Sequence, residues 1–270
     1  MFVSDKLVYL ELQKTGCVHL NRIFRLVLDG EHVGSYNQAA RSLFTEGRIF
    51  VGSVRNPWDW YVSLWGYGCD GRGGLRKRLT RTRPLRGSGW RVAYTEALNN
   101  FRLRSGNRRA WEATYRYAND TAAFREWLHM LHDQSFIPDI GEGYSNSALS
   151  QTAGLMTFRY LRLFSIRAGE DEKLEELSTQ TAIKNWDAKQ TFIDDFIRNE
   201  SLETDVFRIL ENHGIALEDE KRTDILARPR SNTSSRKRDF ASYYDAETIA
   251  LVANRDQLII DKFAYVAPEL

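Results

Sequence analysis

Apolar residues first gather in a strand-like run. Lys6 to Leu12 places Val8, Leu10 and Leu12 on one face, the two-residue period of a β-strand. From Val18 to Leu28 the interval changes to that of a helix, with Leu20, Ile23, Phe24, Val27 and Leu28 on one side and Asp29-Gly30 as its stop. Between the two lies a tight turn containing Lys14 and Gly16. Arg48 to Arg55 is almost continuously apolar, as a strand buried on both faces of a parallel sheet should be. Asn56-Pro57 then offers an N-cap and first-turn proline for a helix through about Tyr67. Strand, turn, helix, strand, helix in this order predicts an α/β fold with a central parallel sheet flanked by helices.

Further along, Thr121 to His132 is amphipathic, turning Phe124, Trp127, Leu128 and Leu131 to one side. Leu155 to Phe164 is apolar and aromatic without a decisive period. Asp194 to Ile215 passes from strand-like Phe196-Ile197 to a helical pattern over Leu202 to Glu211, and Asp245 to Lys262 reads as one final helix. Neither a repeat nor a linker stands out, so the expectation is a single domain over residues 1–270. It carries a Gly- and Arg-rich insertion at about 68–109, read as a long loop or a partly helical segment.

Charge sharpens that insertion. The net charge is +2, yet Arg72, Arg76, Lys77, Arg78, Arg81, Arg83, Arg86 and Arg91 fall in a stretch without acids between Asp70 and Glu96. It suits an anionic partner, or is simply a solvated loop. Interleaved aromatics of a nucleic-acid platform are missing, so nucleic acid is not the expected partner. Cys17 and Cys69 are the two cysteines, too few for a disulfide framework. With no signal-peptide pattern and no run of the roughly 18 apolar residues a membrane span requires, a cytoplasmic protein is expected.

The turn is where chemistry concentrates. A strand ending in Gln13-Lys14-Thr15-Gly16-Cys17 and opening a helix near Val18 aims backbone N–H groups and the helix dipole at one spot, and Lys14 adds a full charge. The pattern lacks the upstream glycine of G-x-x-x-x-G-K-[ST], so it is no nucleoside-triphosphate P-loop of that type. An ordinary strand-to-helix turn is the alternative. Arg55, at the C-terminal end of the second strand, and Ser63, about two turns into the next helix, supply a second anion-binding pair. Two phosphate subsites on successive β–α turns suit a nucleotide phosphorylated on both 5′ and 3′ oxygens.

Gln13-Lys14-Thr15-Gly16-Cys17 resembles the 5′-phosphosulfate loop of sulfotransferases that use 3′-phosphoadenosine 5′-phosphosulfate (PAPS). Val54-Arg55-Asn56-Pro57 through Ser63 resembles their 3′-phosphate motif. Phe196 to Asp205, and Tyr243-Tyr244-Asp245 through Tyr265, are similar to later segments of the same family. The likeness is to the carbohydrate-directed, family 2-like branch. It implies a P-loop-type three-layer fold and in-line transfer of a sulfuryl group to a carbohydrate or glycolipid hydroxyl, with PAPS as co-substrate and no metal. Lys14 would hold the 5′-phosphosulfate and stabilise the leaving oxygen. Thr15, Gly16, Cys17 and Val18 would donate backbone N–H groups, and Arg55 and Ser63 would bind the 3′-phosphate.

His19 stands where relatives often carry a small hydroxyl residue. It either faces the phosphate or fills space at the helix start. Arg236 and Arg238 lie in a polar loop where relatives close over the nucleotide, so they are anion contacts or solvated charges. For the base that takes the acceptor proton, His32 is the first choice and Glu31 the second, ahead of His19 and Glu96. His129 and His132 read as structural. Trp58, Trp60, Tyr61, Trp65 and Tyr67 offer a sugar-stacking surface or pack the helix. A small-molecule kinase and a non-catalytic binder of the same nucleotide are the rival readings.

Overall fold

The computed structural model describes residues 1–34, 36–80, 107–170, 173–228 and 238–270. Their fold is mixed α/β, and two units emerge: Met1–Asn56 with Met156–Lys173 and Thr181–Thr233, and Pro57–Leu155 with Leu174–Gln180 and Ser234–Leu270. The insertion expected at about 68–109 is only partly described. Residues 81–106, with Glu96, lie outside the described residues, and the part before them forms a short helix.

The first unit holds a sheet of β1 (Phe2–Ser4), β2 (Leu7–Leu10), β3 (Gly30–His32), β4 (Ile49–Val54) and β5 (Asp195–Arg198) in the order β3-β1-β2-β4-β5. β2, β4 and β5 are parallel, as the apolar runs predict. β1 pairs antiparallel with both β2 and β3, so the sheet is mixed rather than wholly parallel. The longer helices are α1 (Cys17–Val27), α2 (Pro57–Cys69), α3 (Gly74–Thr80), α4 (Arg108–Thr114), α5 (Thr121–His132) and α6 (Leu155–Phe164). They continue with α7 (Gln180–Gln190), α8 (Leu202–Asn212), α9 (Asp219–Ala227), α10 (Ala246–Arg255) and α11 (Gln257–Phe263).

Strand alternation sorts the first unit's core. Tyr9 and Val51 are register partners and point to one face. There they meet Leu20, Ile23 and Phe24 of α1 and Leu202, Val206 and Ile209 of α8. Phe24 lies 5.7 Å from Phe2 and 5.1 Å from Tyr9, ring centre to ring centre. Each such fully buried side chain contributes about 1.5–3 kcal/mol. Leu10 and Gly52 face the other way, where Phe164 of α6 packs on Phe196 at 5.3 Å. A Cβ on Gly52 would sit 2.8 Å from the Phe196 ring of β5 and 3.0 Å from the Phe164 ring of α6, so both rings pack here against a position without a side chain.

In the second unit α2 is buried nearly all round. Trp58, Trp60, Tyr61 and Trp65 are core residues, which settles them as packing. Trp65 meets Phe124 of α5 at 5.5 Å, while Tyr67 stays part-exposed beside Arg72. The expected last helix is two. It breaks at Asp256, a fully buried residue that accepts a hydrogen bond from Tyr61 Oη at 2.8 Å. Among the described residues no helix is long and apolar enough to cross a membrane.

Candidate functional site

The turn between β2 and α1 is built from inside. Thr15 is fully buried, and its hydroxyl donates to the Leu12 carbonyl at 2.6 Å. A hydroxyl has one proton, so Ser53 Oγ, 2.5 Å away, must donate to Thr15. Tyr9 Oη, 2.7 Å from Ser53, must then donate to Ser53. Burial, and then the neighbouring Cys17 thiol, hold the Tyr9 phenol well above its ordinary range, so it keeps that proton. Cys17 Sγ donates to the same Leu12 carbonyl at 2.9 Å, and burial raises its pKa as well. A directed chain, Tyr9 to Ser53 to Thr15 to Leu12, therefore ties strands β2 and β4 to the turn. The Thr15 and Cys17 side chains point inward, which leaves only their backbone for an outside ligand.

Two turn residues adopt left-handed backbone. Gly16 has φ +89° and caps α1, and Lys14 has φ +70°, which costs a non-glycine residue on the order of 1 kcal/mol. Arg55 Nη1 donates to the Lys14 carbonyl at 3.1 Å and holds that strained peptide. A Cβ on Gly16 would fall 2.9 Å from Leu202 Cδ1 and 3.1 Å from Asn199 Nδ2. Gly16→Ala is therefore expected to destabilise the protein by about 1–3 kcal/mol in urea unfolding. Unchanged stability would mean that α8 gives way easily.

Electrostatically the turn favours an anion. The first intrahelical bond runs from Leu20 N to Gly16 O, so the N–H groups of Cys17, Val18 and His19 precede it. Gly16 has no side chain with which to cap them, and the first turn carries no acid. Lys14 and Arg55 bring two cations to this turn. α6 brings a third, because Arg159 Nη1 donates to Gln13 Oε1 at 3.0 Å. Acids are present too: Glu200 Oε1 accepts the Asn56 N–H at 2.8 Å.

His19 is buried, and its Nε2 lies 2.9 Å from Glu203 Oε1 at the start of α8. Val18 is exposed in the first turn of α1. His32 ends β3, and its Nε2 lies 2.7 Å from Glu11 Oε1. Glu31 is exposed on the same strand. Ser63 is buried on α2, in the second unit. Arg238 is exposed, and Arg236 lies outside the described residues.

Sequence reading missed Glu11, Ser53 and Arg159. The signal for Glu11 was a lone acid at the end of an apolar strand, and for Arg159 a cation inside an apolar run. Ser53 carried none, since a small hydroxyl within a buried strand is unexceptional. Among the described residues no three His, Cys, Asp or Glu side chains are grouped to hold a metal. No family model, curated protein or solved structure matches the chain.

Proposed function

We propose that the chain is a PAPS-dependent sulfotransferase, moving a sulfuryl group from PAPS to a hydroxyl of a carbohydrate or glycolipid and releasing adenosine 3′,5′-bisphosphate. The observation that carries this reading is the Arg55-to-Lys14 hydrogen bond, which joins the two phosphate motifs of the sequence at one turn. The β2–turn–α1 unit, the parallel β2-β4-β5 core and helices on both sheet faces support the P-loop-type form of the fold. Two cysteines with free thiols suit a cytoplasmic setting.

The bound nucleotide supplies an activated S–O bond. The chain supplies position and charge. The N–H groups at the start of α1 hold the 5′-phosphate, and the Lys14 ammonium offsets the negative charge that grows on the departing oxygen. Arg55, held on the Lys14 carbonyl, binds the 3′-phosphate through its guanidinium. Ser63 is assigned to that phosphate by the resemblance alone.

Calorimetry with adenosine 3′,5′-bisphosphate and with ATP, each with and without Mg²⁺, tests the proposal. Metal-independent binding of the bisphosphate, weakened at least tenfold in Arg55→Ala, is the expected result; a tenfold loss corresponds to about 1.4 kcal/mol. Preference for Mg·ATP would overturn the reading in favour of a small-molecule kinase. Bisphosphate binding without sulfuryl transfer to any of a panel of glycans would favour a non-catalytic binder.

A further inference from the structure

We infer that Glu11 is a positioning residue that fixes the tautomer of His32, so that His32 Nδ1 is the atom that takes the acceptor's proton; this rests on the sulfotransferase reading above. Glu11 is the first residue beyond β2, whose four residues are all buried, and it is itself only 4% exposed. A carboxylate so placed is costly unless it is paired. Its Oε1 lies 2.7 Å from His32 Nε2 and 3.0 Å from the Met1 amine. The neighbouring titratable groups on the same side are the Tyr9 phenol and the Cys17 thiol, both of which burial keeps protonated.

The topology explains why a histidine two strands away reaches this carboxylate. His32 is opposite Phe2 across β3–β1, and Phe2 is opposite Tyr9 across β1–β2. The three therefore form one row across the sheet, near the end of β2 that feeds the Lys14 turn. His32 keeps 25% of its surface exposed while its partner is shut away.

An ionised carboxylate only accepts hydrogen bonds, so the ring nitrogen facing it carries the hydrogen. In neutral His32 the lone pair is then on Nδ1. As the acceptor oxygen bonds to sulfur, its proton passes to Nδ1. The bond from sulfur to the 5′-phosphate oxygen breaks, and its electron pair leaves on the bisphosphate. The resulting imidazolium faces Glu11, which offsets its charge. The alternative is that Glu11 serves only to anchor β3 and the Met1 amine.

Two-bond ¹H–¹⁵N correlation of the histidine rings in the intact wild-type protein, at about pH 8.5, well above the ordinary histidine range, decides between these. His32 is assigned by the signal lost in His32→Gln. The expected result is the Nε2–H tautomer, shifting toward a mixture in Glu11→Gln, whose amide keeps the shape and can either donate or accept. Sulfuryl transfer by Glu11→Gln should lose about tenfold or more in kcat. Its acceptor KM and its affinity for adenosine 3′,5′-bisphosphate should be unchanged, and in the His32→Gln background the substitution should cost nothing further. An Nδ1–H tautomer in the wild type, the same tautomer in Glu11→Gln, or an undiminished kcat loss in the His32→Gln background would overturn the assignment of Glu11. A wild-type protein that neither binds the bisphosphate nor transfers sulfuryl overturns the sulfotransferase reading and the base role with it. A wrong tautomer in an active enzyme overturns Glu11 alone.

Discussion

Lys14→Ala is expected to lower kcat by about 10²–10³-fold, the loss typical of removing one group that stabilises developing charge. The affinity for adenosine 3′,5′-bisphosphate should fall much less, by about tenfold. The difference follows from where charge appears: the bridging oxygen gains most of its negative charge as the bond to sulfur breaks, so the ammonium acts more strongly on the transition state than on the bound nucleotide. Radiolabelled sulfate transfer set beside calorimetry measures both. Lys14→Gly separates this role from a structural one. Lys14 sits at φ +70°, a conformation glycine adopts without strain. Its replacement by glycine should leave urea stability at or above wild type while turnover still collapses. Parallel losses of stability and turnover, or turnover within threefold of wild type, would sink the catalytic role of Lys14.

The parts of this fold that were legible in sequence are those whose pattern is fixed by their own burial. Lys6–Leu12 and Arg48–Arg55 contain β2 and β4, and the period over Thr121–His132 matches α5 end to end. β1 and β3 were not legible. Each has three residues, too few for a period, and β3 is Gly-Glu-His, a strand made by its partner rather than by its own residues. That omission also hides half of the candidate site: without β3 nothing places His32 beside Glu11, and what points to the histidine is its place just after α1, where the resembled family can carry its base. Leu155–Phe164 was ambiguous because α6 is buried on most of its surface, which erases the polar stripe that marks a helix. The break at Asp256 was hidden for the opposite reason. Apolar residues continue in helical register through Val252, Leu258 and Ile259, and only the tertiary bond from Tyr61 shows that the chain turns there. The anion turn shows the same division. Lys14 and Gly16 were readable, whereas the Tyr9–Ser53–Thr15 chain that holds them depends on strand register.

Acid should weaken the protein through His132, well before its carboxylates protonate. This residue ends α5 in the second unit and is buried, with neither ring nitrogen hydrogen-bonded. The Tyr61 ring lies 5.9 Å away, edge to face, Arg255 Nη2 donates to the His132 carbonyl at 3.4 Å, and His129 is one turn earlier on the same helix. Burial first, then the charges of Arg255 and His129, push the His132 pKa down to about 3. In the unfolded chain the ring titrates near the ordinary value of about 6.5. Between these limits the unfolded state binds a proton that the native state refuses, so stability is complete above about pH 6.5 and falls as pH drops toward 3. The slope approaches about 1.4 kcal/mol per pH unit for one proton. His132→Phe keeps a ring against Tyr61 but cannot titrate. Urea midpoints from about pH 7.5 down to 5, a window above the ordinary carboxylate range, should fall less steeply in the variant than in the wild type. His19, His32, His129 and His213 are common to both proteins and cancel in the difference. Identical slopes would show that the native state accepts the proton after all, through an opening that lets water reach His132.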